Sequence, residues 1–168
     1  MRIASAIACL AAALLLSGCG YRPLYGSSAD SAGVSATLAS VSIPAATDRV
    51  GQLIRNDLIS SMRSGSGEDR YSLQLSPAVR KTGIIEQKKS QQERQAINLS
   101  VSYDLIDRAT GTSLHKGRTF SQASYDIVGQ PFADQQAETN AVERAAHEVS
   151  ADIRTRLAAY FSSNPPNP

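Results

Sequence analysis

Tryptophan is absent from this 168-residue chain, and cysteine occurs twice, at Cys9 and Cys19. Everything beyond residue 19 therefore has no disulfide to staple it and no thiolate for a metal or a nucleophile. The two histidines, His115 and His147, have no HxxxH or Cys partner spacing, which removes the usual zinc signatures. Glycines 65, 67 and 83 make neither a dinucleotide nor a phosphate-loop pattern, and there is no Gly-x-Ser-x-Gly elbow. Charge of one sign is also missing: 17 Lys+Arg face 15 Asp+Glu, too even a balance for a dedicated nucleic-acid binder. The longest hydrophobic run, Ile3 to Leu16, falls short of the roughly 20 residues a membrane-spanning helix needs. These absences argue against an enzyme built on a recognisable motif and favour a binding or positioning protein.

That run is informative in another way. Met1-Arg2, a short apolar block and the small residues Ser17-Gly18 describe an export signal over residues 1–18. Leu16-Ser17-Gly18-Cys19 resembles the lipobox of bacterial lipoproteins, which implies cleavage before Cys19. The same resemblance implies S-diacylglycerol on the thiol and an N-acyl chain such as palmitate on the new amine. Two or three chains anchor stably at about 0.8 kcal/mol per buried methylene, where a single chain is marginal.

Next comes Cys19-Gly20-Tyr21-Arg22-Pro23-Leu24-Tyr25-Gly26, in which Pro23 keeps the path extended and Tyr21, Leu24 and Tyr25 offer apolar surface near the anchor. This string resembles the mature start of the alphaproteobacterial LptE family of LPS-assembly lipoproteins. The resemblance implies no enzymatic activity and no cofactor beyond the lipid on Cys19. It also implies lipopolysaccharide as ligand, and the LptD outer-membrane β-barrel as a one-to-one partner that the protein plugs. The expected location is the periplasmic face of the outer membrane, and Gly20 after the lipidated cysteine agrees with sorting there.

Residues 19–33 read as anchor and tether, 34–161 as the folded domain and 162–168 as a Pro-rich tail. The side chains of Thr37 to Ile43 predict a strand ended by Pro44. Thr47-Asp48 caps an amphipathic helix with Val50, Leu53, Ile54, Leu58 and Met62 on one face. A strand follows over 70–80 or beyond, with Pro77 at an edge or bulge. The cleanest alternation covers 95–107, and a turn at Asp107–Gly111 leads into a strand over 112–127 with a bulge expected near Gly117. Pro131 opens a long helix whose Ala141, Val149, Ile153 and Leu157 share one side. The order β-α-β-β-β-α predicts an α+β two-layer sandwich: a mainly antiparallel four-stranded sheet with two helices packed on one face. The family resemblance implies the same fold independently.

Basic side chains cluster more than the total charge suggests. Arg80, Lys81, Lys88, Lys89 and Arg94 surround the first long hairpin, and Arg108, Lys116 and Arg118 form a second group with no acid between residues 108 and 118. Both groups are candidates for the phosphates of lipopolysaccharide, with arginine suited to bidentate contacts. Two rivals belong to other classes. One is an auxiliary lipoprotein of an ABC-type envelope lipid transporter; the other is a small envelope hydrolase using residues such as Asp104, His115 or Ser121.

Replacing Cys19 by alanine is expected to abolish incorporation of labelled palmitate and move the protein out of the membrane fraction. Fractionation of labelled cells checks this.

Overall fold

Alternation through Ile97, Leu99, Val101, Tyr103 and Leu105 buries one whole side of a central strand. In the computed structural model, which describes residues 29–62, 69–84 and 93–165, that strand belongs to a four-stranded sheet. The elements in chain order are α1 (Ala29–Ala39), β1 (Val41–Ser42), α2 (Arg49–Met62), β2 (Tyr71–Ile84), β3 (Glu93–Asp107), β4 (Ser113–Ile127) and α3 (Pro131–Ser163). The strands lie in the order β1-β2-β3-β4. β2, β3 and β4 are antiparallel, while β1 adds to β2 in parallel through Val41 opposite Tyr71 and Ser42 opposite Ser72. The architecture is α+β as expected, and the sheet is mixed because of this one short strand.

Three departures from the expected elements have physical causes. Residues 37–43 are not one strand: α1 occupies the segment through Ala39, and only two residues pair with the sheet. Small residues such as Ser, Ala and Thr support either period, and the Thr37 hydroxyl donates to the Gly33 carbonyl one turn back, 2.9 Å away. Leu38, on the parity expected to be wet, is buried beside Val41 and Ile43. The described residues thus contain three helices, with α1 beginning inside the stretch read as tether. The bulge lies three residues earlier than expected. Leu105 pairs with His115 and Ile106 with Ser113, so Leu114 is the extra residue. The tail beyond residue 165 lies outside the described residues.

α2 begins where the side chain of Asp48 accepts from the Gly51 amide at 2.9 Å, a cap of the expected kind. Its Ile54, Leu58 and Met62 are buried, as are Ala141, Ala145, Val149, Ile153 and Leu157 of α3. These meet the odd-numbered side chains of β2 and β3 in one continuous core. A 33-residue helix spans about 50 Å, close to the roughly 50 Å of a 15-residue strand. One helix therefore covers the sheet from end to end.

Gly117 has a packing duty in place of a bulge. A Cβ built there would run into the Oη and Cζ atoms of Tyr103, whose ring lies across from it in the β3–β4 register. Gly117→Ala is expected to destabilise the fold by about 1–3 kcal/mol through overpacking, read as a lower urea midpoint. Tyr103→Phe, which leaves Cζ in place, should not rescue it, whereas Tyr103→Leu in the same background should recover part of the loss.

Candidate functional site

The even-numbered side chains of β2, β3 and β4 form the face of the sheet opposite the helices. Ser72, Gln74, Ser76 and Thr82 of β2 join Asn98, Ser100, Ser102 and Asp104 of β3, then Lys116, Arg118, Gln122 and Ser124 of β4. Polar groups satisfy one another across strands. Asn98 Nδ2 donates to Thr82 Oγ1 at 3.1 Å, and Arg118 Nε to Ser100 Oγ at 2.8 Å. Large apolar side chains are few on this face: Phe120, 82% exposed in the row of Ser100, and the half-buried Ile106 opposite Ser72.

The charges on this face are unevenly compensated. Lys116 Nζ lies 3.2 Å from Asp104, which also accepts from the Ser113 hydroxyl at 2.5 Å. The Ser113 hydrogen bond, followed by the Lys116 ammonium, outweighs partial burial and holds the Asp104 carboxyl below its ordinary range. Arg94 Nε pairs with Asp126 at 2.9 Å. Arg80 and Arg118 face no acid among the described residues. They stand two strands and four residues apart, in the rows of Asn98 and Ser102, with Phe120 in the row between. From strand spacing and rise, their Cα atoms are roughly 16 Å apart.

The fold therefore divides the eight basic candidates. Arg80, Arg94, Lys116 and Arg118 share the open face. Lys81 is on the opposite side, 2.5 Å from Glu138 of α3, and that hydrogen bond raises its ammonium above the ordinary lysine value. Arg108 sits at the β3–β4 turn, where it donates to the Asp69 carbonyl at 3.1 Å and lies 3.8 Å from the Asp69 carboxylate. Lys88 and Lys89 lie outside the described residues. Phe120 was legible in principle, because it is a large apolar residue on the wet parity of β4.

The hydrolase residues do not converge. Asp104 is on the open face, whereas His115 and Ser121 have helix-facing parity. His115 stacks on Tyr160 with ring centroids 4.9 Å apart, and the Ser121 hydroxyl donates to Glu148 of α3. Six residues along one strand put these two about 20 Å from each other. Among the described residues there is no group of three metal-ligating side chains and no helix long and apolar enough to cross a membrane.

A family model described as LptE, lipopolysaccharide-assembly, matches residues 37–157. A crystal structure from Caulobacter crescentus, of a protein described as a lipoprotein, aligns with a TM-score of 0.66 and 32% identity, covering 78% of this chain and 97% of that one. A minor lipoprotein from Acinetobacter baumannii aligns with a TM-score of 0.53 and 16% identity, covering 71% of this chain and 88% of that one; this likeness is of fold alone. No curated protein matches the sequence significantly.

The depressed carboxyl of Asp104 makes a pH prediction. Its contribution to stability is present above the ordinary carboxylate value of 3.8 and is lost as pH falls through the lower value it has in the fold. Asp104→Asn should therefore lower stability at pH 7 and flatten the acid limb below about pH 4. Urea midpoints measured from pH 2.5 to 7 should converge with those of the parent at the acid end.

Proposed function

We propose a role that proceeds from what the chain is: it belongs to the LptE lipopolysaccharide-assembly family, whose model spans residues 37–157. Its work is in lipopolysaccharide assembly, by binding and positioning instead of catalysis. Within that role, the open sheet face is the surface that meets lipopolysaccharide. The observation that carries this is the arrangement of Arg80 and Arg118, uncompensated by acids among the described residues, on either side of the exposed ring of Phe120. An amphiphile with several phosphates and acyl chains is matched by separated cations with an apolar group between them. Arginine adds bidentate geometry to phosphate. Lys116 and Arg94 act more weakly, because Asp104 and Asp126 already neutralise them. Lys81 and Arg108 are committed to their acids and contribute little, and Lys88 and Lys89, outside the described residues, stay candidates by charge alone.

The domain works tethered through lipid on Cys19 to the periplasmic face of the outer membrane, docked as a plug in the LptD barrel. The polar row of serine, asparagine and glutamine side chains suits a water-lined lumen. The tether confines the search to the membrane surface and so raises the effective concentration at the barrel.

Tagged full-length protein recovered from detergent-solubilised outer membranes should bring a large β-barrel at near one-to-one amount, identified by mass spectrometry. Recovery of transporter subunits, or of nothing, would sink the plug reading. Arg80→Glu and Arg118→Glu should each weaken retention of purified lipopolysaccharide about tenfold, the scale of one charged hydrogen bond. Lys81→Glu should cost retention little, and equal losses at all three positions would point to diffuse charge in place of a site.

A further inference from the structure

The two edges of the sheet are treated differently. β4 is overlaid by α3, and Arg144 Nη2 donates to the Ser124 carbonyl at 3.0 Å. β2 has a neighbour on its outer side only at Tyr71 and Ser72. From Leu73 to Ile84, no strand among the described residues pairs with that edge. Beside it runs an open slot of about 280 Å³, floored by Val50 and Leu53 of α2, Val142 of α3 and Val79 of β2. Ion pairs bound the slot, Lys81 with Glu138 at 2.5 Å and Arg49 with Glu143 at 3.9 Å. Val79 is 40% exposed, one of four large apolar side chains left so among the described residues.

We infer that the β2 edge from Ala78 to Ile84 receives an extended strand of another protein, with apolar side chains toward the slot alternating with acidic ones beside Arg80. An open row of backbone donors and acceptors is completed by another extended backbone, and pockets for alternate side chains then supply selectivity. The slot exceeds the roughly 150 Å³ that already admits a benzene ring, so one large aliphatic or aromatic side chain fits against Val79. On the opposite face of the same edge, Arg80 faces no acid among the described residues. Unlike charges on neighbouring strands stabilise and like charges repel. A second copy of this chain would bring its own Arg80 and Lys81 to the junction. The chain's own Tyr21–Tyr25 stretch carries Arg22, and its Pro23 has no amide to donate. Charge therefore selects an acidic strand from elsewhere. Pro77, also without an N–H, sets the near limit of the edge that can pair.

This inference goes beyond the lipopolysaccharide reading and is tested without lipopolysaccharide present. Full-length protein in detergent is titrated with two labelled peptides of one composition, Val-Glu-Val-Glu-Val-Glu-Val-Glu and Val-Val-Glu-Glu-Val-Val-Glu-Glu, while hydrogen exchange is followed by mass spectrometry. The alternating peptide should bind at least tenfold more tightly and slow amide exchange within residues 78–84. Val79→Glu should reduce that binding at least tenfold with an unchanged urea midpoint, because the side chain is already partly exposed. Arg80→Glu should transfer the preference to a Val-Lys peptide of the same alternation. Equal binding of the two acidic peptides would mean an anion site only. That outcome, protection elsewhere, dimerisation through β2, or no binding would each overturn the proposal.

Discussion

Everything in this domain depends on burying one face of three long strands without a disulfide. Ile97, Leu99, Val101 and Leu105 of β3 are essentially fully buried, each contributing about 1.5–3 kcal/mol against exposure. A sheet of this length needs a cover of the same length, which is why α3 runs to 33 residues. Its alanines at 141, 145, 146 and 158 let the helix lie close to the sheet, and the larger Val149, Ile153 and Leu157 fill the remaining space. α2 covers the part of β2 that α3 leaves open. Where the first turns of α2 and the side of α3 approach β2 without closing over it, Val79 remains exposed and the slot lies beside it.

The flank of α3 that lies over β4 is polar for a related reason. β4 is an edge strand, its helix-facing positions include Thr119 and Ser121, and water is close. Glu148 accepts from Ser121, and Asp152 is held in its charged form by the Thr119 hydroxyl and Arg156 against the opposing effect of burial. Farther along, Tyr125 donates to Gln95 at 2.8 Å and lies 3.5 Å from Glu138, with burial first and that carboxylate second raising its phenol above the ordinary value. These bonds fix the rotation of the helix about its own axis, which apolar packing alone specifies weakly. The open face is left with Asp104 and Asp126 against four cations among the residues it displays.

Much of this was legible in the sequence wherever a period persisted. The alternation of 95–107, the capping aspartate at 48, the helix after Pro131 and the turn after Asp107 all reappear in the structure at or near the expected residues. Legibility failed where the side chains were small. Residues 37–43 carry Thr, Ala and Ser in positions that satisfy either period, so burial of Leu38 decided the matter in favour of helix. The bulge lies at Leu114 and not near Gly117 for a comparable reason. Glycine in a strand marks a bulge or a close approach, and Gly117 turned out to serve the second.

The sequence by itself determined the class of fold, the lack of any catalytic or metal constellation in its motifs, and a family likeness carried by the string after Cys19. These follow from local periods and residue types, which do not depend on what packs against what. Only the tertiary structure decided which of the clustered basic residues share a surface. Arg80 and Lys81 are neighbours in the chain, yet the pleat sends one to the open face and the other to Glu138. Arg80 and Arg118 are 38 positions apart in the chain, and strand register brings them to one face with Phe120 in the row between. Charge counted along a sequence is blind to that alternation, because a step of one residue along a strand reverses the direction of the side chain.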